Sequence, residues 1–289
     1  MKRDRSKLIL GAVAYDAKVV TIWDGFLRWF EERSLPFDYV LYTNYERQVE
    51  GLFLGEHHVS WNSPLAWLQA ERLAASERRV ARAIAMRDTD QDLRSAILVR
   101  KDSAVHTIAD LRDKRIGVGA WDSPQATILP MLHLAENGLD PERDAKIVHH
   151  DVLVGKHGDH IGGERDAVKA LLAGTIDAAC VLDANVLGFT RDGTVASGAL
   201  RTLAVTEPFD HCNFTIVDGD DAPAGSIAKF TELLFSQDYS DPAVRPLMDL
   251  EGLKAWKPGR VERYAPLARA IDRFRTIEPW LKARTETSA

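Results

Sequence analysis

Strands and helices alternate along this chain, and the alternation starts twice. Residues 8–14 form an apolar run of strand length; Ile22, Phe26, Trp29 and Phe30 then recur at helical spacing as far as Arg33. Residues 37–42 read as a strand, 45–54 as a helix stopped by Gly55, 59–61 as a strand, and 64–77 as a helix with proline near its start. Two more strands, 80–86 and 95–99, close this half. The pattern then restarts with a short helix at 107–112, strands at 115–119 and 146–150, and a helix at 126–137 closed by Gly138. A helix at 165–173, strands at 178–182 and 201–206, and a late helix at 261–271 complete it. Such alternation predicts an α/β protein with mostly parallel strand pairing, in two similar halves.

With 289 residues, 45% of them hydrophobic and 28% charged, the chain can bury a core without disulfide or metal staples. A net charge of −6 argues against a general nucleic-acid binder, which needs a basic face. No stretch approaches the ~18 apolar residues of a membrane span, so no membrane insertion is expected. Cys180 and Cys212 lie in apolar or aromatic context and read as two buried thiols, although spacing alone leaves a bridge between them open. Residues 1–7 are basic and precede an apolar run at the short limit for a signal peptide, without a small-x-small cleavage site. As written the chain reads as cytoplasmic; a periplasmic location is expected if an N-terminal signal has been removed. No nucleophile-elbow, Walker A, dinucleotide or kinase signature is present, and Gly117-Val118-Gly119 fails the full dinucleotide pattern.

Three colinear segments point to one family. The first is Lys101-Asp102-Ser103 followed by residues 108–119. The second is Asp122-Ser123-Pro124-Gln125-Ala126-Thr127-Ile128-Leu129-Pro130. The third is residues 163–168 followed by Ala173-Gly174-Thr175-Ile176-Asp177-Ala178-Ala179. Together they resemble the type 2 periplasmic-binding-protein fold, and within it the phosphonate/phosphite ABC transporter substrate-binding family. The resemblance implies an α/β fold of two mixed, mostly parallel sheets flanked by helices, forming two lobes with a ligand cleft between them, lobe I being residues 1–98 plus 206–289 and lobe II residues 99–205. It also implies a small-molecule ligand and an ABC transporter permease as partner.

The same resemblance suggests the site. In the family a helix N-terminus with hydroxyl residues holds an anion, because unsatisfied N–H groups and the helix dipole favour negative charge there. Asp122 and Ser123 match this pattern. Pro124 and Gln125 replace hydroxyl residues, and Pro124 removes one N–H, so a doubly charged phosphonate is expected to be held less well. Ser123, Gln125 and Thr127 are the expected contacts, while the plainer alternative is an N-cap by Asp122 or Ser123. Tyr15, Asp16, Tyr45, Trp61, Asn62 and Ser63 fall at strand ends and helix starts, where open α/β sheets place ligands; packing as core or cap residues is the competing reading. Where the family carries a ligand histidine, this chain has Glu164, with His157 and His160 just upstream in a glycine-punctuated and therefore accessible loop.

His157, His160 and His211 are candidate ligands for a divalent transition metal, the carboxylates of Glu164 and Asp183 their partners. Convergence of His157 or His160 with Asp183 or His211 is expected. Two functions follow. The first is a binding protein that captures a polar or anionic ligand, phosphonate-like or carboxylate. The alternative is a cytoplasmic enzyme on the same fold, metal-dependent and lyase- or decarboxylase-like, using His157, His160 and Glu164.

Overall fold

A computed structural model describes residues 6–159, 161–219 and 221–287. In chain order, β1 (Leu8–Val13), α1 (Lys18–Glu31), β2 (Phe37–Tyr42), α2 (Tyr45–Phe53), β3 (Val59–Asn62), α3 (Pro64–Ser76) and β4 (Ala81–Arg87) come first. Next are β5 (Ser95–Arg100), β6 (Arg115–Val118), α4 (Leu129–Glu136), α5 (Pro141–Asp144), β7 (Lys146–His149), α6 (Glu164–Leu172), β8 (Ala178–Leu182), α7 (Asp183–Arg191) and β9 (Leu200–Val205). The chain ends with β10 (Asn213–Val217), α8 (Ser226–Phe235), α9 (Arg245–Glu251), β11 (Trp256–Pro258), α10 (Ala265–Phe274) and α11 (Glu278–Thr287).

These elements divide into two compact units. The first holds the described residues up to Gln91, Asp210–Glu262 and those from Ile277 on; the second holds Asp92–Phe209 and Arg263–Thr276. The boundaries differ from the lobes expected from sequence, 1–98 plus 206–289 and 99–205. β5 pairs with β8 and β9, which draws residues from Asp92 into the second unit. Residues 263–276 belong there too, because α10 packs on α4.

In the first unit the sheet order is β11-β4-β10-β3-β1-β2. β1 lies between β2 and β3, parallel to both, and is buried along its whole length, which is why its sequence is continuously apolar. β10 and β11 run antiparallel to their neighbours. α1 presents Val19, Ile22, Trp23, Phe26, Trp29 and Phe30 to the core, so its stripe begins a turn earlier than the aromatics alone suggested. α3 opens with Pro64 at its first turn and is capped by Ser63, whose hydroxyl accepts from the Ala66 N–H.

In the second unit the order is β7-β6-β8-β5-β9, with β6 parallel to β7 and β8, and β5 antiparallel to β8 and β9. Both sheets are therefore mixed, with less parallel pairing than the alternation suggested. Two of the antiparallel strands, β5 and β10, directly follow the points where the chain passes from one unit to the other; β11 is the third. Cys180 and Cys212 are both free and buried. Burial, with the negative charge of Glu164 adding to it, pushes the Cys180 thiol up to about 12.

Candidate functional site

β6 ends at Val118, and the chain turns through residues 119–123 into a wide-wound helical start. Between Pro124 and Ile128 the winding is π-helical: the Ile128 N–H donates to the Ser123 carbonyl at 3.0 Å, five residues back. Pro124 has no N–H to offer. The Ala126 N–H donates to Ser123 Oγ at 3.2 Å and the Thr127 N–H to the Ser123 carbonyl at 3.2 Å. Ser123 is thus the N-cap, and it takes up the N–H groups of Ala126, Thr127 and Ile128. Its own hydroxyl proton is left to donate. Thr127 Oγ1 donates to the Ala120 carbonyl at 2.8 Å and keeps its lone pairs. Gln125 Nε2 donates to the Gly158 carbonyl at 2.8 Å, while its Oε1 is buried with no hydrogen-bond partner.

The histidine-bearing segment lies on this turn. Asp122 accepts from the Gly155 N–H at 2.6 Å. A Cβ on Gly158, whose φ is +67°, would collide with Ser123 Oγ and Cβ. Left-handed backbone recurs at Leu153, Gly155, His157, Gly158, Ile161 and Gly163. This coiling turns His157 inward, and it is 1% exposed, not accessible as the glycines had suggested. His160 lies outside the described residues. Gly158→Ala is expected to destabilise the protein by about 1–3 kcal/mol through overpacking and left-handed strain, read by urea unfolding; a neutral result would mean that Gly158 is not seated on Ser123.

Glu164 opens α6 and is fully buried. It accepts from the Leu182 N–H at 2.8 Å and from Asn185 Nδ2 at 2.9 Å, so it braces the end of β8 against α7. Asp183 is the first residue of α7 and is exposed. Half-buried His150 is held below the ordinary imidazole range by burial first, with the neighbouring His149 adding to the effect. The second unit therefore brings Asp122, Ser123, Gln125 and Thr127 together, with His157 buried in the segment that covers them. Exposed Trp121, whose N–H donates to Asp151, stands beside this cluster and was not singled out in the sequence.

In the first unit the strand-end residues divide by face. Asn62 is fully buried, accepts from Gln48 Nε2 at 2.7 Å and donates to Thr215 Oγ1 at 2.9 Å; Thr215 donates in turn to Asn213 Oδ1 at 2.6 Å. Gln48 Oε1 is buried without a partner. Gln48 was missed by sequence reasoning, although a carboxamide in helical register with Tyr45, Val49 and Leu52 was a readable signal. Trp61 points to the other face, into the aromatic core with Phe214 and Trp256, and Tyr45 sits in an apolar cluster with Val13, Val49 and Ala66. Packing, the competing reading, describes both. Ser63 is the α3 cap. Tyr15 is half-buried against the core edge, and exposed Asp16 accepts from the Lys18 N–H.

His211 has partners other than those expected: Cys212, with Nδ1 to Sγ at 3.1 Å, and Asp90, with Nδ1 to Oδ1 at 3.5 Å. Among the described residues this is the one grouping of three metal-capable side chains, and it includes neither His157 nor Asp183.

A family profile described as ABC transporter, phosphonate, periplasmic substrate-binding protein matches residues 12–264. PhnD1 from Prochlorococcus marinus (MIT 9301), solved in complex with methylphosphonate, is similar with a TM-score of 0.71 at 14% identity, covering 94% of this chain and 99% of that one. A Xanthomonas citri protein bound to ATP is similar with a TM-score of 0.72 at 17% identity, covering 94% and 98%. A binding-protein component of an ABC phosphonate transporter from Pseudomonas aeruginosa gives 0.62 at 12% identity, covering 99% and 89%. At such identities these likenesses speak to the fold. Over 41 residues the chain is 49% identical to an uncharacterized protein of Haemophilus influenzae, a stretch that is 14% of this chain and 58% of that protein's length. No helix among the described residues is long and apolar enough to cross a membrane. The family is one of periplasmic binding proteins, which supports a ligand-binding role and gives neither the enzyme alternative nor the cytoplasmic reading any support. Matched over most of its length, the chain belongs to the family of periplasmic substrate-binding proteins of phosphonate ABC transporters.

Proposed function

We propose that this protein captures a small phosphonate-like or carboxylate ligand in its singly charged or protonated form, for delivery to an ABC transporter permease. The observation that carries the reading is the hydrogen-bonding character of the turn at Ser123–Thr127. Ser123 has a hydroxyl proton to donate, and Thr127 Oγ1 and Gln125 Oε1 have lone pairs to accept. One donor beside two acceptors suits a head group that itself carries a proton, such as P–OH beside P–O⁻. A bare dianion would meet two acceptors and the buried Asp122 carboxylate, and the N–H groups of Ala126, Thr127 and Ile128 are spent on Ser123. The methylphosphonate in the Prochlorococcus marinus relative supports the phosphonate class.

Calorimetric titration with methylphosphonate, inorganic phosphate, an alkanesulfonate and a small carboxylic acid tests this. Affinity for methylphosphonate is expected to rise as pH falls through its second ionisation. Gln125→Ala is expected to weaken binding by about 1–3 kcal/mol, the cost of an unmade buried hydrogen bond. Binding that strengthens with ligand dianion, or no saturable binding of any of the four, would overturn the reading.

A further inference from the structure

We infer that Asp90, His211 and Cys212 form a binding site for a divalent transition metal of the zinc class, separate from the ligand-binding turn of the second unit. Adjacent side chains on an extended strand point to opposite faces, yet His211 and Cys212 converge. They do so because β10 begins only at Asn213, and the chain before it is irregular. The His211 N–H donates to the Asp90 carbonyl at 2.8 Å, which anchors the lead-in to β10 on the short helical turn Asp88–Asp90 that follows β4.

The donor atoms are spaced for one ion. His211 Nδ1 lies 3.1 Å from Cys212 Sγ and 3.5 Å from Asp90 Oδ1, and all three donors fall within 4.8 Å of one another. Ligands around a tetrahedral zinc, with Zn–N and Zn–O near 2.0–2.1 Å and Zn–S near 2.3 Å, stand about 3.3–3.6 Å apart. Thiolate, imidazole and carboxylate together favour zinc or cobalt over the hard cations magnesium and calcium. Asp90 and Cys212 are buried, while the His211 side chain keeps 13% of its surface exposed, which gives an entry path and room for water as fourth ligand.

The surrounding charge agrees. Arg87 holds Asp90 through both carboxylate oxygens, at 2.6 and 2.8 Å, and also contacts Glu251 Oε1 at 3.3 Å. Each Asp90 oxygen keeps a second lone pair, so the guanidinium acts as the outer partner that orients a ligating carboxylate. Once Cys212 is a thiolate, Asp90, Glu251 and Cys212 place three negative charges around the Arg87 guanidinium, and a divalent cation offsets part of that charge.

The test uses the whole protein stripped with a chelator and titrated with cobalt(II), then zinc(II). One cobalt per chain is expected, with a thiolate-to-cobalt charge-transfer band, and zinc is expected to raise the melting temperature. Cys212→Ser should abolish the band, whereas Cys180→Ser should keep it. His211→Asn should weaken zinc binding by at least the about 10–100-fold that loss of an outer-sphere partner causes. Circular dichroism checks that each variant is folded. A folded wild-type protein without the band under excess cobalt, or a band that survives Cys212→Ser, would overturn the inference.

Discussion

Arg87→Met is expected to destabilise the protein by about 3–5 kcal/mol in metal-free buffer, the cost of stripping one partner from a buried ion pair. The guanidinium pairs with both oxygens of Asp90, donates to the Glu251 main-chain carbonyl at 2.8 Å and to its side chain at 3.3 Å, and lies 5.1 Å from the Trp61 ring centroid. Methionine can fill the space but cannot neutralise the two buried carboxylates. Burial alone would push the Asp90 carboxyl up; Arg87 outweighs it and, with a smaller contribution from His211, holds Asp90 at about 2. In the wild type the folded value is therefore below the unfolded one of roughly 3.9. That contribution is complete above about pH 4 and is lost as pH falls towards 2. Without Arg87 burial dominates, the folded value rises above the unfolded one, and the sign inverts: stability is then lost as pH rises. Glu251 and His211 face the same cluster, Glu251 Oε1 at 3.3 Å from Arg87 and His211 Nδ1 at 3.5 Å from Asp90. Urea unfolding at about pH 4.5 and about pH 7 should show the deficit of Arg87→Met growing with pH. A deficit below about 1 kcal/mol, or one equal at both pH values, would mean that the cluster is not held by Arg87.

The fold was legible where burial is one-sided or complete. The run from Leu8 to Val13 is a strand buried along its length, and the α1 stripe follows helical periodicity, so both could be read from spacing. β11 is three residues ending in Pro258, and α9 spans Arg245–Glu251; elements this short leave no period to read. The site was harder for a different reason. Trp61 and Asn62 are neighbours on one strand, and which of them enters the core depends on a register of one residue. His157 was expected in solvent because glycines flank it, yet left-handed backbone turned it inward. Asp90 and His211 are far apart in sequence, on stretches that meet only because β4 and β10 pair side by side. No spacing encodes that meeting, although three acidic or hydroxyl residues directly after a strand were visible as Asp88-Thr89-Asp90.

Trp61→Ala is expected to cost about 3–5 kcal/mol of stability, the range for truncating a buried tryptophan. The ring is 5% exposed, with its centroid 4.6 Å from Phe214 and 6.0 Å from Trp256, so truncation leaves a cavity bounded by aromatic side chains that cannot collapse far. It also removes the aromatic face beneath Arg87. The two largest effects are thus coupled, and the double variant with Arg87→Met should depart from additivity by about 0.5–3 kcal/mol. Measured well below the lowered melting temperature, affinity for methylphosphonate should match the wild type, since the side chain faces Phe214 and Trp256 whereas Asn62 faces the Gln48–Thr215 network. An intact melting temperature with affinity reduced by about 1–3 kcal/mol would instead assign Trp61 to the ligand wall. The distinction rests on strand geometry: the face that gives Asn62 to the polar network gives Trp61 to the core, and one side chain cannot serve both.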